Sequence, residues 1–333
     1  MMKPPSFWNR PPSRPGLLSS LLLPAAAIWA SVTQRQLREG PRERLGVPVI
    51  AVGNVNLGGT GKTPTVMALV KILQDMDVQA HVVSRGYGGS IDGPHRVNDR
   101  RDMATQVGDE PLLLSAFAPV WVAKNRAEGA KAARDAGADV IILDDGLQNA
   151  ALHHDLTVTV FDAKVGFGNG RVCPAGPLRE PVNDALGRTD ILLGIGRQED
   201  VDTVLRDWPA LRNFPLLSGH LEPLSTGFAW SGVRAYAFAG IGRPQKFFES
   251  LRAAGVQLVQ TRAFDDHEPY TLAILRRMQA EAWTKDCHLV TTEKDAARIP
   301  PDMRAEILTF PVRLTVSQDD ILKTMLDGLL RRA

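Results

Sequence analysis

Cysteine is nearly absent from this 333-residue chain: only Cys173 and Cys287 occur, far apart and without the spacing of metal ligands. A disulfide framework and a thiolate zinc site are therefore excluded, and a reducing cytoplasm suits the composition. No internal repeat or low-complexity tract is visible, which sets repeat architectures aside. Long apolar runs are missing too. The longest near the start, Leu17 to Val32, is broken by Pro24 and falls short of the roughly 20 residues a spanning helix needs.

What is present is globular: 44% hydrophobic and 23% charged residues, in a chain long enough for two cores. The formal charge of +2 hides an asymmetry, because Lys3, Arg10, Arg14, Arg35, Arg38, Arg42 and Arg44 precede residue 45 against only Glu39 and Glu43. No interleaved aromatics or RNA-binding motif follow, so nucleic acid is not the expected partner and an anionic lipid surface is. Leu17 to Val32, with Trp29 and flanking arginines, fits a helix lying in a membrane interface. A shallow span, and a cleaved signal ending at Ala25, Ala26 and Ala27, are the competing readings.

Beyond this basic and apolar segment, 1–40, short apolar runs alternate with helical stretches. Val47 to Val52, Ala80 to Val83, Val120 to Ala123, Val140 to Leu143, Thr157 to Phe161 and Ile191 to Leu193 read as strands. Thr63 to Asp75 and Asn125 to Ala136 read as helices. Such alternation predicts an α/β fold with a mostly parallel sheet covered on both faces, here over 41–220. Around Phe214 to Ser231 the pattern loosens, and a second series begins at Ala235 to Ala239. Helices over Pro244 to Ala254, Tyr270 to Lys285 and Gln318 to Arg331, with strands Val256 to Val259 and His288 to Thr292, predict a smaller α/β domain over 221–333.

The strongest signal is the run from Gly53 to Pro64, which holds Asn56, Leu57, Gly58, Gly59, Thr60, Gly61, Lys62 and Thr63. Its glycines let successive N–H groups turn toward phosphate oxygens, and the following helix adds its positive end. Lys62 reaches the β/γ-phosphates, and Thr63 can ligate Mg²⁺. The template glycine at 56 is Asn56, so the motif is a variant. Val140 to Leu143 then delivers Asp144 and Asp145 to a strand end, where an acid opposite the loop ligates Mg²⁺; a solvated Asp-Asp-Gly turn is the plainer reading. ATP with Mg²⁺ is thus the expected ligand, and ATP argues against export.

Ser84 to Gly89, Gly108 to Pro111 and Gly168 to Pro181 are glycine-rich and polar, and each belongs near the carboxyl edge of the sheet, where open α/β sheets bind ligands. Asp265-Asp266-His267 reads locally as the N-cap of a helix starting near Tyr270.

Together these motifs resemble the tetraacyldisaccharide 4'-kinase family of the lipid A pathway of Gram-negative bacteria. The likeness covers nearly the whole chain. It runs through Gly-Gly-Thr-Gly-Lys-Thr-Pro (58–64), Ser-Arg-Gly-Tyr-Gly-Gly (84–89), Val-Gly-Asp-Glu-Pro (107–111) and Leu-Asp-Asp-Gly-Leu-Gln (143–148), then Pro-Ala-Gly-Pro-Leu-Arg-Glu-Pro (174–181), Phe-Ala-Gly-Ile-Gly-Arg-Pro (238–244) and Thr-Thr-Glu-Lys-Asp (291–295). The resemblance implies two α/β/α domains, a membrane-associating N-terminal helix and ATP-dependent phosphorylation of the 4'-hydroxyl of an acylated glucosamine disaccharide 1-phosphate. It implies Asp109 as base with His267, the first histidine of the family's Phe-x-Asp-His-His-x-Tyr pattern. Two positions depart from the family: Glu268 replaces the second histidine, and Asn149 stands where histidine often follows the glutamine.

The expected machinery is then small. Lys62 and the loop amides hold phosphates, Thr63 with Asp144 or Asp145 holds Mg²⁺, and Asp109 with His267 takes the hydroxyl proton. Arg85, Gln148, Arg179 and Glu180 are candidates for substrate contacts. The expected place is the cytoplasmic face of the inner membrane, with no obligate protein partner. The rival readings are a nucleotide switch or maturation ATPase acting on a protein, and a soluble small-molecule kinase.

Overall fold

A computed structural model describes residues 4–332, so Lys3 of the basic segment lies outside the described residues. The strands, in chain order, are β1 (Val49–Gly53), β2 (Ala80–Ser84), β3 (His95–Arg96), β4 (Val120–Val122), β5 (Val140–Asp144), β6 (Leu156–Asp162), β7 (Ile191–Ile195) and β8 (Leu216–Pro223). There follow β9 (Arg234–Ala239), β10 (Gln257–Ala263), β11 (His288–Thr292), β12 (Leu308–Phe310) and β13 (Val312–Val316). They form a nine-stranded sheet ordered β13-β8-β7-β6-β1-β5-β2-β4-β3 and a four-stranded sheet ordered β10-β9-β11-β12.

The large sheet is parallel except at its edges, where β13 runs against β8 and β3 against β4. Its central strands β1, β5 and β6 are buried at every position, which is why they read as unbroken apolar runs. From β1 the chain passes to β2, goes out to the edge strand β3, comes back through β4 to β5 beside β1, then crosses to β6 on the other side of β1. That reversal puts a crevice at the carboxyl end of β1. In the β1–β5 register Val52 pairs with Asp144, so the glycine-rich loop and the two aspartates leave the sheet side by side.

Helix Lys62–Asp75 buries Val66, Leu69, Val70 and Leu73 in the main core. The same core takes Leu314 of β13 and Leu322, Leu326 and Leu329 of helix Asp319–Leu330. Here the expected grouping fails: the last helix does not join the smaller sheet. Its apolar stripe completes the large one, and β13 reaches that sheet because only Pro311 separates it from β12. The four-stranded sheet is built within 234–310 and enters the chain between two neighbouring strands, β8 and β13.

The apolar segment near the start forms helices Leu17–Leu21 and Leu23–Glu39. Pro24 does not interrupt the second; it sits in its first turn, where the missing N–H has no partner to lose. Ser19 Oγ donates to the Ala175 carbonyl at 2.6 Å and Trp29 Nε1 to that of Arg179 at 3.2 Å, holding the pair on the large unit. Leu17, Leu18, Leu21, Ile28 and Val32 remain exposed. No helix among the described residues is long and apolar enough to cross a membrane.

Candidate active site

Gly58 and Gly61 take φ of 114° and 100°, values open to glycine at little cost, and Gly61 leads straight into helix Lys62–Asp75. Asn54 shapes the loop from inside: its amide donates to the Asn56 carbonyl at 2.9 Å, and its Oδ1 accepts from Lys62 Nζ at 3.3 Å. Asn56, which stands where the template has glycine, is buried and donates to the Gly166 carbonyl at 3.0 Å. It tethers the loop to the body of the large unit.

Asp144 and Asp145 differ. Asp145 accepts two hydrogen bonds from Arg179, each 2.9 Å, and lies 3.4 Å from Lys62. Burial pushes its carboxyl up, but the Lys62 and Arg179 charges outweigh burial and hold it at about 2. Asp144 accepts from Ser84 Oγ at 3.0 Å with one oxygen, while its other oxygen is buried and without a hydrogen-bond partner. Burial, with the Glu110 and Asp145 charges, pushes Asp144 up to about 6. An unpaired carboxylate oxygen at this depth is costly unless a cation completes it, so the donor set fits Mg²⁺ best at Asp144.

Three of the expected substrate residues form one internal brace. Gln148 donates to the Asn54 carbonyl at 3.0 Å and to Glu180 at 2.9 Å; Arg179 reaches the Asn56 carbonyl at 3.2 Å and Gln148 at 3.2 Å; Arg188 pairs with Glu180 at 2.6 Å. Glu180 is fully buried. Exposed Arg85 stands apart from this network at the end of β2.

Asp109 opens helix Asp109–Leu114 and is buried, yet it meets His267 of the other unit, whose Nδ1 lies 2.9 Å and 3.1 Å from its two oxygens. His267 has a left-handed φ of 61° and packs edge-on to Tyr87 at 5.3 Å. The expected capping role of 265–267 does not hold: helix Leu272–Thr284 is capped by Thr271, whose hydroxyl accepts from the Ile274 N–H at 3.3 Å. Released from capping, the turn aims His267 across the cleft. Burial pushes Asp109 up, but the His267 hydrogen bond and the Lys294, His267 and Arg298 charges outweigh burial, and the carboxyl lies below its ordinary value.

Thr-Thr-Glu-Lys-Asp stood out in the sequence without a role. Asp295, fully buried, accepts from Tyr270 Oη at 2.8 Å and the Gly240 N–H at 3.1 Å, and pairs with Arg298. Arg298 holds the carbonyls of Gly240 at 2.7 Å and Glu268 at 2.9 Å and comes within 3.6 Å of Asp109. Lys294 bonds Glu110 at 3.0 Å. Between the units lies a cavity of about 220 Å³, walled by Gly59 to Thr63 on one side and Ile241, Arg243, Asp266 and Lys294 on the other.

A glycine-rich loop before a helix, a partly unpaired strand-end carboxylate and a carboxylate–imidazole pair across the cleft define a P-loop nucleotide-dependent transferase. Comparison with known proteins narrows the class. Residues 18–331 match the model of the family described as tetraacyldisaccharide-1-P 4'-kinase. The chain is 52% identical to tetraacyldisaccharide 4'-kinase of Dinoroseobacter shibae, covering 100% of this chain and 99% of that one. It is 49% identical to the enzyme of the same name from a Jannaschia species, over 99% and 100%. In fold it is similar to the crystal structure of LpxK from Aquifex aeolicus in complex with ATP, with a TM-score of 0.76 at 24% identity over 94% of this chain and 100% of that chain. The chain belongs to the tetraacyldisaccharide 4'-kinase family.

Proposed function

We propose that this chain transfers the γ-phosphoryl group of ATP to the 4'-hydroxyl of a tetraacylated glucosamine disaccharide 1-phosphate, in lipid A biosynthesis, at the cytoplasmic face of the inner membrane. The observation that carries the reading is the Asp109–His267 contact, whose chain neighbours Glu110 and Asp266 line the same cavity as the glycine-rich loop. Asp109 accepts the proton of the sugar hydroxyl as its oxygen forms a bond to phosphorus and the bond to the ADP oxygen breaks. His267 orients the carboxylate. Lys62 and the N–H groups of Gly58 to Thr63 hold the phosphates, and Asp145 and Asn54 orient Lys62. Thr63 and Asp144 would hold Mg²⁺, which neutralises charge on the phosphate oxygens. Gln148, Arg179 and Glu180 keep the loop in shape rather than touch substrate, and Arg85 remains open to the acceptor.

The exposed apolar face of the N-terminal helices, flanked by Arg35 and Arg38, supports contact with the membrane that holds the lipid. Incubation with γ-labelled ATP, Mg²⁺ and the tetraacyl disaccharide 1-phosphate, followed by chromatography, tests the function. Label should move to the lipid. Free phosphate released equally with and without lipid would favour a nucleotide switch instead.

A further inference from the structure

Three lysine or arginine side chains of the smaller unit wall the nucleotide cavity, and none has a role so far: Arg243, Lys246 and Lys294. Arg243 and Lys246 both turn to buried Asp162, at 2.5 Å and 3.5 Å, so their charge is engaged. Lys294 is placed differently. It follows β11 in the short helix Glu293–Ala296, and its Nζ stands 3.0 Å from Glu110, 3.4 Å from His267 Nε2 and 3.9 Å from Asp266. It therefore touches the imidazole of the proposed base pair while lining the same cavity as Lys62. Asp266 Oδ1, beside it, is buried without a hydrogen-bond partner, so the cluster is not closed.

We propose that Lys294 contacts the phosphoryl group during its transfer, moving from Glu110 to an oxygen of the γ-phosphate on the side away from Lys62. The inference rests on the kinase reading above and adds one residue to it. In-line transfer spreads negative charge over the equatorial oxygens of the moving group, and among the residues lining the cavity the large unit contributes one lysine or arginine, Lys62. A cation brought by the other unit completes the neutralisation only when the cleft is shut, which couples closure to chemistry. Lysine is well suited to this, because its compact ammonium sits on a flexible four-carbon stem with three rotatable donors and so exchanges a carboxylate partner for a phosphate oxygen by side-chain rotation. Glu110, adjacent to Asp109 in the chain, holds the ammonium ready until then. The bonds made and broken are those already given, and the hydroxyl proton still passes to Asp109.

The test uses the full chain as wild type, Lys294→Gln and Lys294→Arg. Calorimetry measures the affinity of each for Mg·ADP and for Mg·ADP with aluminium fluoride, which mimics the transferring group; steady-state kinetics and thermal melting accompany it. Lys294→Gln should bind Mg·ADP within about threefold of wild type and melt at the same temperature, yet lose the extra affinity for the fluoride complex and about 10²-fold or more in kcat. Lys294→Arg should recover part of both. Undiminished fluoride-complex binding in Lys294→Gln would overturn the inference, as would a joint loss of melting temperature and ADP affinity, which would make Lys294 a tie to Glu110 only. Wild-type protein that binds Mg·ADP but never labels the lipid would overturn the kinase reading itself, a result visible before any variant is made.

Discussion

His267 Nδ1 lies 2.9 Å from Asp109 Oδ2 although 158 residues separate them in the chain. Asp109 belongs to the large unit and His267 to the smaller. The cationic partners of Asp109, Lys294 and Arg298, also come from the smaller unit. The environment of the proposed base is thus set by how the two units meet.

If the two side chains act together, Asp109→Asn should lower kcat by about 10² to 10⁴ while ATP still binds. His267→Ala should also be damaging, and the double variant little worse than the poorer single, because coupled groups do not add. Strictly multiplicative losses would mean separate roles.

The pair also sets a pH dependence. Asp109 accepts a proton only as a carboxylate, and its folded pKa lies below the ordinary value. The acid limb of kcat/KM should accordingly lie below the range of an ordinary aspartate. His267→Ala removes the hydrogen bond that opposes burial, so the limb should move to higher pH. Since the folded pKa is depressed, the contribution to stability is present above the unfolded value and lost as pH falls through the folded one. A limb that stays put in His267→Ala would assign it to another group.

Asp144 and Asp145 should respond differently to amidation. Asp144→Asn removes the carboxylate with the unpaired oxygen, so it should raise the Mg²⁺ concentration needed for half-maximal rate far more than KM for the lipid. Asp145→Asn leaves Lys62 and Arg179 without their shared counter-ion. It should destabilise the fold by roughly 1 to 2 kcal/mol, less than a fully buried pair would, because the Asp145 side chain is 33% exposed. Equal Mg²⁺ responses in the two variants would count against this division.

Membrane contact is testable without disturbing the core, because Leu18 and Leu21 already face solvent. Leu18→Ser with Leu21→Ser should leave the melting temperature unchanged and reduce partitioning to anionic vesicles about tenfold or more, given roughly 1.5 to 3 kcal/mol for each fully buried leucine. Unchanged partitioning would place the contact elsewhere.

The parts of this fold that one segment encodes were legible in the sequence. Val49–Gly53 and Val140–Asp144 are buried on both faces and so read as strands, and the loop before Lys62 carries its chemistry in consecutive residues. What depends on distant partners was not. β13 and helix Asp319–Leu330 have an apolar pattern that either unit could accept, and only pairing with β8 decides between them. Arg179 and Glu180 read as candidate ligand contacts because their glycine-rich polar stretch belongs near the carboxyl edge of the sheet; their engagement with Gln148, Asp145 and Arg188 is a tertiary fact. The Asp109–His267 pairing came from family likeness, since no local spacing announces a contact between two units.

The placement of residues 234–310 between β8 and β13 also bears on how the molecule is made. A ribosome delivers β1 through β8, with the nucleotide loop, well before it delivers the strand and helix that finish their sheet. Until 312–330 emerge, β8 is an open edge and the core beneath Leu322, Leu326 and Leu329 is uncovered. The nascent nucleotide-binding half therefore waits, incomplete, while the other half is synthesised and folds, and the two halves mature almost together rather than one after the other.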